Sequence, residues 1–389
     1  MNMWALAILG AIFSFACTQP VKVAGTPERL AAVEPPPAPA ETTSPALGTN
    51  PTQVFVSPTG RDDNAGDSPR RPLATIQAAL DKAQPGTTVT LAEGVYDQDF
   101  RSRRAGEANR PIEIAGPRNA VVRGSGQDHV AEINHDYHVL RGFTIDGLFG
   151  SGDSRDDYRS KLIWIQGSRP PDGGTSVTGV RLLDLSISNA LGECVRLRYF
   201  AVANEIAGNS ISNCGLEDFR FYGGGKNGEG IYIGTAPEQL ADGKNASAQP
   251  DRSDRNIIRN NVIHTQGNEC VDIKEAASAN LVEQNACTGQ LDPESAGFDS
   301  RGNANIFRAN SVVGSVGAGI RLGGDGPGDG LDNDVYDNIL MDNAGGGVKF
   351  MRRPQGLVCG NRISGGSGRA ATGAQGGGFR PAHACPRAP

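Results

Sequence analysis

Aromatic residues, methionine and excess charge are all scarce in this sequence of 389 residues. Phe, Trp and Tyr make up 6% of the chain, Met occurs four times, and the formal net charge is −6. A mildly acidic balance argues against broad binding to nucleic acid or anionic lipid. The 53 glycines argue against a helix bundle, because glycine costs roughly 1 kcal/mol in a helix interior. We therefore expect a turn-rich protein dominated by short strands.

An apolar run opens the chain, MNMWALAILGAIFSFA over residues 1–16. It is too short to cross a bilayer as a helix of about 20 residues, and it fits a secretory signal peptide. Cys17 follows a small residue, as at a bacterial lipoprotein cleavage site, so we predict a signal peptide over 1–17 with lipid on Cys17. The alternative is a plain export signal cut nearby. Either predicts an exported protein, in the periplasm or as an outer-membrane or cell-surface lipoprotein.

Composition divides the rest of the chain into three parts. Residues 18–52 are rich in Pro, Ala, Glu and Thr, which cannot bury a core, and we interpret them as a linker or stalk. Residues 53–363 are predicted to fold. Residues 364–389 are predicted to form a Gly-rich, poorly ordered tail.

Six cysteines follow Cys17, and none forms a CxxC pair, which argues against zinc. An even number in an exported chain permits disulfides. Cys194/Cys214 and Cys270/Cys287 have similar separations, and each pair could bridge neighbouring segments. The alternative is that several are small buried apolar residues.

A loose repeat occupies residues 204–363. Its first element is an apolar residue, then Asn three positions on, then an apolar residue two beyond that. Asn tolerates left-handed backbone and can bond through its amide to the next copy, so stacked copies would form an Asn ladder. The copies centre on Asn209, Asn261, Asn285, Asn310, Asn338 and Asn361.

The second repeated element is Gly or Cys followed by an apolar–polar–apolar triplet. The triplets begin at Val195, Ile231, Val271, Phe298, Ile320 and Val348. The tightest spacings, 271 to 298 and 298 to 320, have the length of one coil of a β-solenoid. A β-sandwich also has many short strands, but it does not require similar strands at this period.

The repeats are preceded by a strand at Val54–Val56 and by a short amphipathic helix over 74–83. The open end of a solenoid exposes its core, and this helix is predicted to cap it. The fold class is therefore all-β, a parallel β-solenoid with a short N-terminal capping helix.

Three segments of this opening resemble right-handed parallel β-helix proteins of the pectate-lyase-like superfamily. They are VSPTG at 56–60, ATIQAA at 74–79 and GVY at 94–96. The resemblance covers about 54–363 and implies a right-handed parallel β-helix. It says little about chemistry, because the fold hosts lyases, hydrolases, epimerases and non-enzymatic proteins.

Stacked triplets would align their outward residues in columns, with strand neighbours about 4.8 Å apart. One column is Arg196, Tyr232, Asp272, Asp299, Arg321 and Lys349, and the next is Arg198, Gly234, Lys274, Arg301, Gly323 and Met351. Asp272, Lys274, Asp299 and Arg301 would then share one subsite, with Glu229 and Glu269 at its rim. The alternative is a structural ion-pair ladder. Asp272 stacked on Asp299 is destabilising unless paired or metal-bound, which favours a site.

This mixture of charges suits an acidic sugar polymer cleaved by β-elimination. Carboxylates can hold Ca²⁺ against the uronate, and a Lys crowded by a cation has a lowered pKa and can act as base. Arg suits bidentate recognition of a carboxylate. The loops at 223–228 and 236–254 are predicted to wall a groove beside these columns.

Two lyase groups carry segments similar to these. The segment NECVDIK at 268–274 resembles the chondroitinase B and alginate lyase group, which implies Glu269 as a calcium ligand and Lys274 as base. The following DSRGN at 299–303 is similar, with Arg301 one residue off the Arg of that group. Asp272, Asp299 and Lys274 also resemble the clustered Asp and single Lys of calcium-dependent pectate lyases.

The leading prediction is thus a polysaccharide lyase that acts on an acidic, uronate-containing polysaccharide. We expect it to be a monomer and not to bind nucleic acid. Lys274, Arg301 and Arg321 are the predicted catalytic residues, and Glu269, Asp272 and Asp299 the Ca²⁺ ligands. Substrate binding is assigned to Arg196, Arg198, Lys349 and Tyr232, whose ring could stack on sugar. The alternatives are a non-catalytic carbohydrate-binding or adhesion protein, and a glycoside hydrolase using Asp272 and Asp299. The clustered Asn-Thr-Asp, Asp-Asp and His-Gly signatures of polygalacturonases are absent.

Overall fold

The computed structural model describes residues 52–126, 128–167, 176–225, 227–241 and 247–386. The signal peptide, the lipid attachment at Cys17 and all but the last residue of the linker lie outside these residues. No helix in the described ranges is long and apolar enough to cross a bilayer. The described chain winds through three parallel sheets in turn, visiting the first, second and third sheet once per coil. This is a parallel β-helix, as the repeat predicted.

Every pairing between its strands is parallel and in register. The first sheet has eleven strands: Thr52–Val56, Thr87–Leu91, Ile112–Ala115, His138–Arg141, Arg181–Leu183, Glu205–Ala207, Ile257–Arg259, Leu281–Glu283, Ile306–Arg308, Asp334–Tyr336 and Val358–Cys359. The second has ten: Gly94–Tyr96, Ala120–Val122, Thr144–Asp146, Ser186–Ser188, Ser210–Ser212, Val262–His264, Ala286–Thr288, Ser311–Val313, Ile339–Met341 and Arg362–Ser364. The third has ten: Phe100–Arg101, His129–Ile133, Lys161–Gln166, Val195–Arg198, Ile231–Ile233, Val271–Ile273, Ala296–Ser300, Ala318–Leu322, Val348–Phe350 and Ala371–Thr372.

A short parallel pair and four helical segments complete the described structure. The pair is Val177–Thr178 with Ala201–Val202. The α-helices are Ile76–Lys82 and Leu216–Phe219, and the 3-10 helices are Arg155–Asp157 and Pro237–Gln239.

The predicted Asn ladder runs along the corner between the first and second sheets. Its six asparagines are almost wholly buried, and the side-chain amide of each of the first five donates to the Oδ1 of the next at 2.9–3.1 Å. The left-handed backbone, however, belongs to the residue before each ladder Asn, such as Gly208 (φ 71°) or Gln284 (φ 56°). The Asn therefore contributes hydrogen bonds, and its predecessor makes the turn.

A second asparagine ladder, which the sequence analysis missed, lies directly before the strands of the first sheet. Asn204, Asn256, Asn280 and Asn305 are bonded side chain to side chain at 3.0–3.1 Å. Asn333 continues it by accepting from the backbone of Asn305. Each stands five residues ahead of an Asn of the first ladder, a signal that was present in the sequence. Together the ladders satisfy buried backbone groups that the turns leave without sheet partners.

The predicted helix is present at Ile76–Lys82, with Thr75 as its N-cap accepting from the backbone of Ala78. Ile76, Ala79 and Leu80 are buried against the first strands of the chain. That the helix seals the end of the core stays a prediction.

The segment predicted as a poorly ordered tail from residue 364 is ordered as far as residue 386, which corrects that boundary. Ala371–Thr372 adds a strand to the third sheet. Phe379 stacks on Phe350 with ring centroids 3.9 Å apart, and Cys385 is bonded to Cys359. Apolar stacking and a covalent link hold a segment whose glycine content alone suggested disorder.

The two anticipated disulfides, Cys194–Cys214 and Cys270–Cys287, are both formed. In each, the first cysteine directly precedes a strand of the third sheet. The bonds therefore fix the backbone just where the outward columns of that sheet begin.

Candidate active site

The outward columns of the third sheet form as predicted. Strand register places Arg196 beside Tyr232, Tyr232 beside Asp272, Asp272 beside Asp299, and so on through Arg321 to Lys349. The second column lies at or just past the ends of these strands, where the backbone hydrogen bonds of the sheet continue. The backbone amide of Lys274 donates to the Ile233 carbonyl, and that of Arg301 to the Ile273 carbonyl. Side chains from distant positions thus meet on one surface.

The outer face of the first sheet offers a contrast. There opposite charges alternate between coils, so that Glu205 pairs with Arg181 and Arg259, and Glu283 pairs with Arg308. On the third sheet Asp272 lies directly beside Asp299. Placing like charges side by side costs stability unless each is paired or metal-bound, whereas the first sheet has the pattern of a structural ion-pair ladder.

A column of glutamates precedes the third-sheet strands. Glu193, Glu229 and Glu269 occupy equivalent positions in three consecutive coils, each 2–3% exposed. Backbone bonds connect the coils at this level, from Cys194 to the Glu229 carbonyl and from Gly230 to the Glu269 carbonyl. The sequence analysis placed Glu229 and Glu269 at a rim and missed Glu193, although Gly-Glu-Cys, Gly-Glu-Gly and Asn-Glu-Cys repeat the pattern.

Two of these glutamates and one aspartate form a compact acidic group. Carboxylate oxygens of Glu229, Glu269 and Asp272 all lie within 4.8 Å of one another. Burial, then the charges of Glu193 and Asp272, raise the pKa of Glu229 to about 7. Burial and the charge of Asp272 likewise raise the pKa of Glu269 well above its ordinary value.

Two oxygens of this acidic group lack a hydrogen-bond partner among the described residues, Oε2 of Glu269 and Oδ1 of Asp272. The second oxygen of each of these two carboxylates has a partner. Glu269 Oε1 accepts from the Ser295 hydroxyl, and Asp272 Oδ2 lies 2.7 Å from Lys274 Nζ. Oxygen ligands with uncompensated negative charge are what a hard divalent cation prefers. The three residues therefore fit such an ion.

Asp299, predicted as a third Ca²⁺ ligand, is not part of the acidic group. Its two oxygens accept from Nη1 of Arg321 at 3.0 and 2.8 Å, and Nε of Arg301 lies 3.6 Å away. The acidic group therefore contains Glu269 and Asp272 of the predicted ligand set, with Glu229 where Asp299 was expected, and a ligand role for Asp299 stays a prediction. Arg321 neutralises Asp299 inside the protein. The same engagement argues against Asp299 as one of the two acids of a glycoside hydrolase.

Lys274 is nearly buried beside the acidic group, with 10% of its side chain exposed. Burial is the largest single influence and would lower the pKa of its ammonium, but the charges of Asp272, Tyr232 and Glu229 together outweigh burial, and the pKa lies well above its ordinary value. The sequence analysis expected a lowered pKa, so this expectation is wrong for the arrangement described. The strongest of these charges is the Asp272 carboxylate at 2.7 Å.

Tyr232 is 3% exposed, and its ring lies 3.5 Å from the Arg196 guanidinium and 4.7 Å from Lys274 Nζ. A ring covered in this way cannot stack on a sugar, which corrects that part of its predicted role. The contacts are cation–π interactions that hold Arg196 and Lys274 in place on the outer surface of the third sheet.

Arg196 and Arg198 belong to the part of the face over the earlier coils. Arg196 is bound to Glu193, which also pairs with Lys161 at 3.2 Å. Burial opposes ionisation of Glu193, but these two cations lower its pKa to about 2. Lys349, at the other end of the column, donates to the Glu294 carbonyl at 2.6 Å.

Two clefts open along this face. The smaller, about 350 Å³, is lined by the acidic group together with Tyr232, Lys274, Asp299, Arg301 and Arg321. The larger, about 790 Å³, contains Arg196 and Arg198 and lies over the earlier coils. Asn227 and Gln239 border both clefts, and they come from the two inserted loops that were predicted to wall a groove.

Comparison with known proteins supports the fold. No family model matches the sequence. An 88-residue stretch, 23% of this chain and 18% of its relative, is 33% identical to Uncharacterized protein YwoF of Bacillus subtilis (strain 168), so less than a fifth of that relative is matched.

Solved structures match over far more of the chain. The alginate lyase from Paenibacillus sp. str. FPU-7 has a TM-score of 0.58 at 23% identity, covering 76% of this chain and 96% of that one. The pectate lyase Pel9A has a TM-score of 0.50 at 14% identity, covering 84% and 80%. The chain thus has the right-handed parallel β-helix fold of the pectate-lyase-like proteins that its opening resembles.

Proposed function

We propose that this protein is a polysaccharide lyase that cleaves an acidic, uronate-containing polymer by β-elimination in the smaller cleft. The observation that carries the proposal is the meeting of Lys274, the acidic group and two arginines on adjacent coils around one cleft. The fold it shares with an alginate lyase and a pectate lyase is consistent with this chemistry.

In the proposed reaction a base removes the proton at C5 of a uronate, beside its carboxylate. The electron pair of that C–H bond forms a double bond to C4, the bond from C4 to the glycosidic oxygen breaks, and the leaving oxygen takes a proton from solvent. The site must therefore neutralise the substrate carboxylate and accept the C5 proton.

Carboxylate neutralisation is assigned to cations on the face and to a calcium ion held by Glu229, Glu269 and Asp272. When bound, calcium would supply positive charge beside the substrate carboxylate. Arg321 contacts Asp299 through Nη1, which leaves further guanidinium donors for a uronate. Arg301, with 25% of its side chain exposed, is the more accessible of the two and is assigned to stabilise the leaving oxygen.

Lys274 is assigned as the base, on one condition. Its pKa is high because Asp272 contacts it, so Asp272 must give up this ion pair in the substrate-loaded site. Burial would then dominate and lower the pKa of Lys274, which suits a proton acceptor.

The test is a screen of alginate, polygalacturonate and chondroitin sulfate with the wild-type protein, with and without chelator. Product is followed by the ultraviolet absorbance of its new double bond. We expect Lys274→Ala to abolish product, and Lys82→Ala, on the exposed face of the N-terminal helix, to leave it unchanged. Full activity of Lys274→Ala would remove Lys274 from the reaction. Binding of a polymer without any product would instead identify a carbohydrate-binding protein.

We further propose that the chain is exported and carries lipid on Cys17, as its opening sequence suggests. Membrane partitioning of the full chain, compared with Cys17→Ser, tests this. Equal partitioning of both would leave only a cleaved signal peptide.

A further inference from the structure

The larger cleft is walled on one side by two loops that lead from the second sheet to the third. They span residues 147–160 and 213–230, the latter described except for residue 226. Arg155 on the first loop and Glu217 and Asp218 on the second line the cleft. The wall therefore borders the larger cleft, which shares Asn227 and Gln239 with the smaller cleft.

The two loops are fastened to each other by two arginines. Arg155 pairs with Glu217 at 2.7 Å. Arg220 donates to the Tyr158 hydroxyl at 2.6 Å and to the Gly152 carbonyl at 2.8 Å. These contacts link the two loops into one wall.

The turn after Arg220 is closed by internal bonds. The carboxylate of Asp218 accepts from the backbone of Gly225 and of Asn227, both at 2.9 Å, and Gly223 donates to the Glu217 carbonyl at 2.8 Å. Phe221 packs on Tyr158 with ring centroids 5.7 Å apart. Between these anchored residues stands Tyr222.

Tyr222 is 87% exposed, whereas the next most exposed large apolar side chain of the described residues, Val262, is 60% exposed. Its backbone is left-handed, with φ 58°, a conformation that costs a bulky residue on the order of 1–2 kcal/mol. Folding gains little from an aromatic ring in water. A fixed loop that displays such a ring at a strained position is explained by a ligand that covers it.

We propose that Tyr222 is a sugar-stacking platform that binds the polymer away from the reaction centre, on the loop that walls the larger cleft. This deepens the proposed function and rests on it. The ligand is the apolar face of a pyranose ring in a long chain, because Arg155, Glu217 and Asp218 of the wall line the larger cleft and not the smaller one in which the reaction is proposed. Tyr222 is therefore a substrate-binding residue that affects affinity for polymer without contributing to the chemical step.

The test compares wild type with Tyr222→Ala, Tyr222→Phe and, as an exposed apolar control on the second sheet, Val262→Ala. The substrate is whichever of alginate or polygalacturonate the wild type cleaves, as polymer and as trisaccharide. We expect Tyr222→Ala to raise KM for polymer by about threefold to tenfold with kcat unchanged. The trisaccharide KM should not change, and Tyr222→Phe and Val262→Ala should behave as wild type. An unchanged polymer KM, or an equal loss on trisaccharide, would overturn the proposal.

Affinity electrophoresis in gels containing the same polymer separates the two proposals. A wild type that cleaves and is retarded, with Tyr222→Ala equally retarded, contradicts the stacking role alone. A wild type that neither cleaves nor is retarded by any of the polymers contradicts the proposed function, and the stacking role with it.

Discussion

Asp272 and Asp299 lie side by side on adjacent strands, yet each is bound by a different cation: Lys274 at 2.7 Å for the first, Arg321 at 2.8 Å for the second. The stacked carboxylates thus differ in their surroundings. Both oxygens of Asp299 accept from Nη1 of Arg321, while one oxygen of Asp272 has no hydrogen-bond partner among the described residues and lies near two glutamates. The two carboxylates therefore differ in how far their charge is already paired within the protein.

The Asp299–Arg321 pair is expected to stabilise the fold. Its side chains are 1% and 12% exposed, and without Arg321 the buried Asp299 carboxylate keeps only the longer contact with Arg301, at 3.6 Å. We expect Arg321→Ala to lower the free energy of unfolding by roughly 2–4 kcal/mol. The double variant with Asp299→Ala should recover part of the loss, as measured by chemical denaturation. Additive losses in the double variant would show that the two side chains are not coupled.

Calcium should stabilise the protein through the acidic group. A ligand that binds only the folded state adds about 1.4 kcal/mol for each tenfold excess over its Kd. We expect added Ca²⁺ to raise the thermal unfolding midpoint, and Glu229→Gln or Asp272→Asn to abolish the rise. Asp153→Asn, an exposed control, should respond like the wild type. The same midpoint with Ca²⁺, Mg²⁺, Mn²⁺ and chelator would count against a cation site.

Glu193 should make stability depend on acid pH. Its pKa is depressed from 4.5 to about 2, so its contribution is complete above about 4.5 and is lost as pH falls toward 2. The stability advantage of wild type over Glu193→Gln should shrink by on the order of 3 kcal/mol between pH 5 and 2. Urea unfolding at several pH values measures this. A constant difference between the two proteins would show that Arg196 and Lys161 do not favour the ionised form.

We expect the loss of one side-chain amide from the middle of the first asparagine ladder to destabilise the fold. Asn285 accepts from Asn261 and donates to Asn310, all three buried. Asn285→Ala leaves these neighbours unsatisfied, and we expect a loss of about 2–4 kcal/mol in unfolding free energy. Asn285→Asp keeps the shape but brings a carboxylate against the Asn310 oxygen, and it should be at least as destabilising. Wild-type stability of either variant would contradict the role of the ladder.

The Cys359–Cys385 bond should protect the C-terminal segment. It closes a loop with a sequence separation of 26, which the chain-entropy model associates with about 3 kcal/mol. We expect Cys385→Ser to expose residues beyond 364 to limited proteolysis, read by mass spectrometry, while the preceding coils resist. Phe379→Ala, which removes the stack on Phe350, should act in the same direction. Equal resistance of wild type and Cys385→Ser would show that the packed segment holds without the bond.

The coils and their register were predictable because the repeat carries both. One apolar–polar–apolar triplet per coil sets which residues face outward, and Asp272, Asp299 and Arg321 fell in one column as expected. The corner asparagines were predictable for the same reason.

Side-chain pairing and the inserted loops were not predictable in this way. The column alone could not decide whether Asp299 would bind a metal or Arg321, since both are within reach of it. Glu193 was missed because its position lies just outside the triplet. Tyr222 sits in a loop of irregular length, where no period assigns a direction to a side chain.

Because the side chains of the site come from several successive coils, no single continuous stretch of sequence encodes the whole site. A segment equal to one whole turn could in principle be excised or duplicated with the spiral intact, bringing new residues next to Lys274. New specificities on such a scaffold can therefore arise by exchange of complete turns as well as by point substitution.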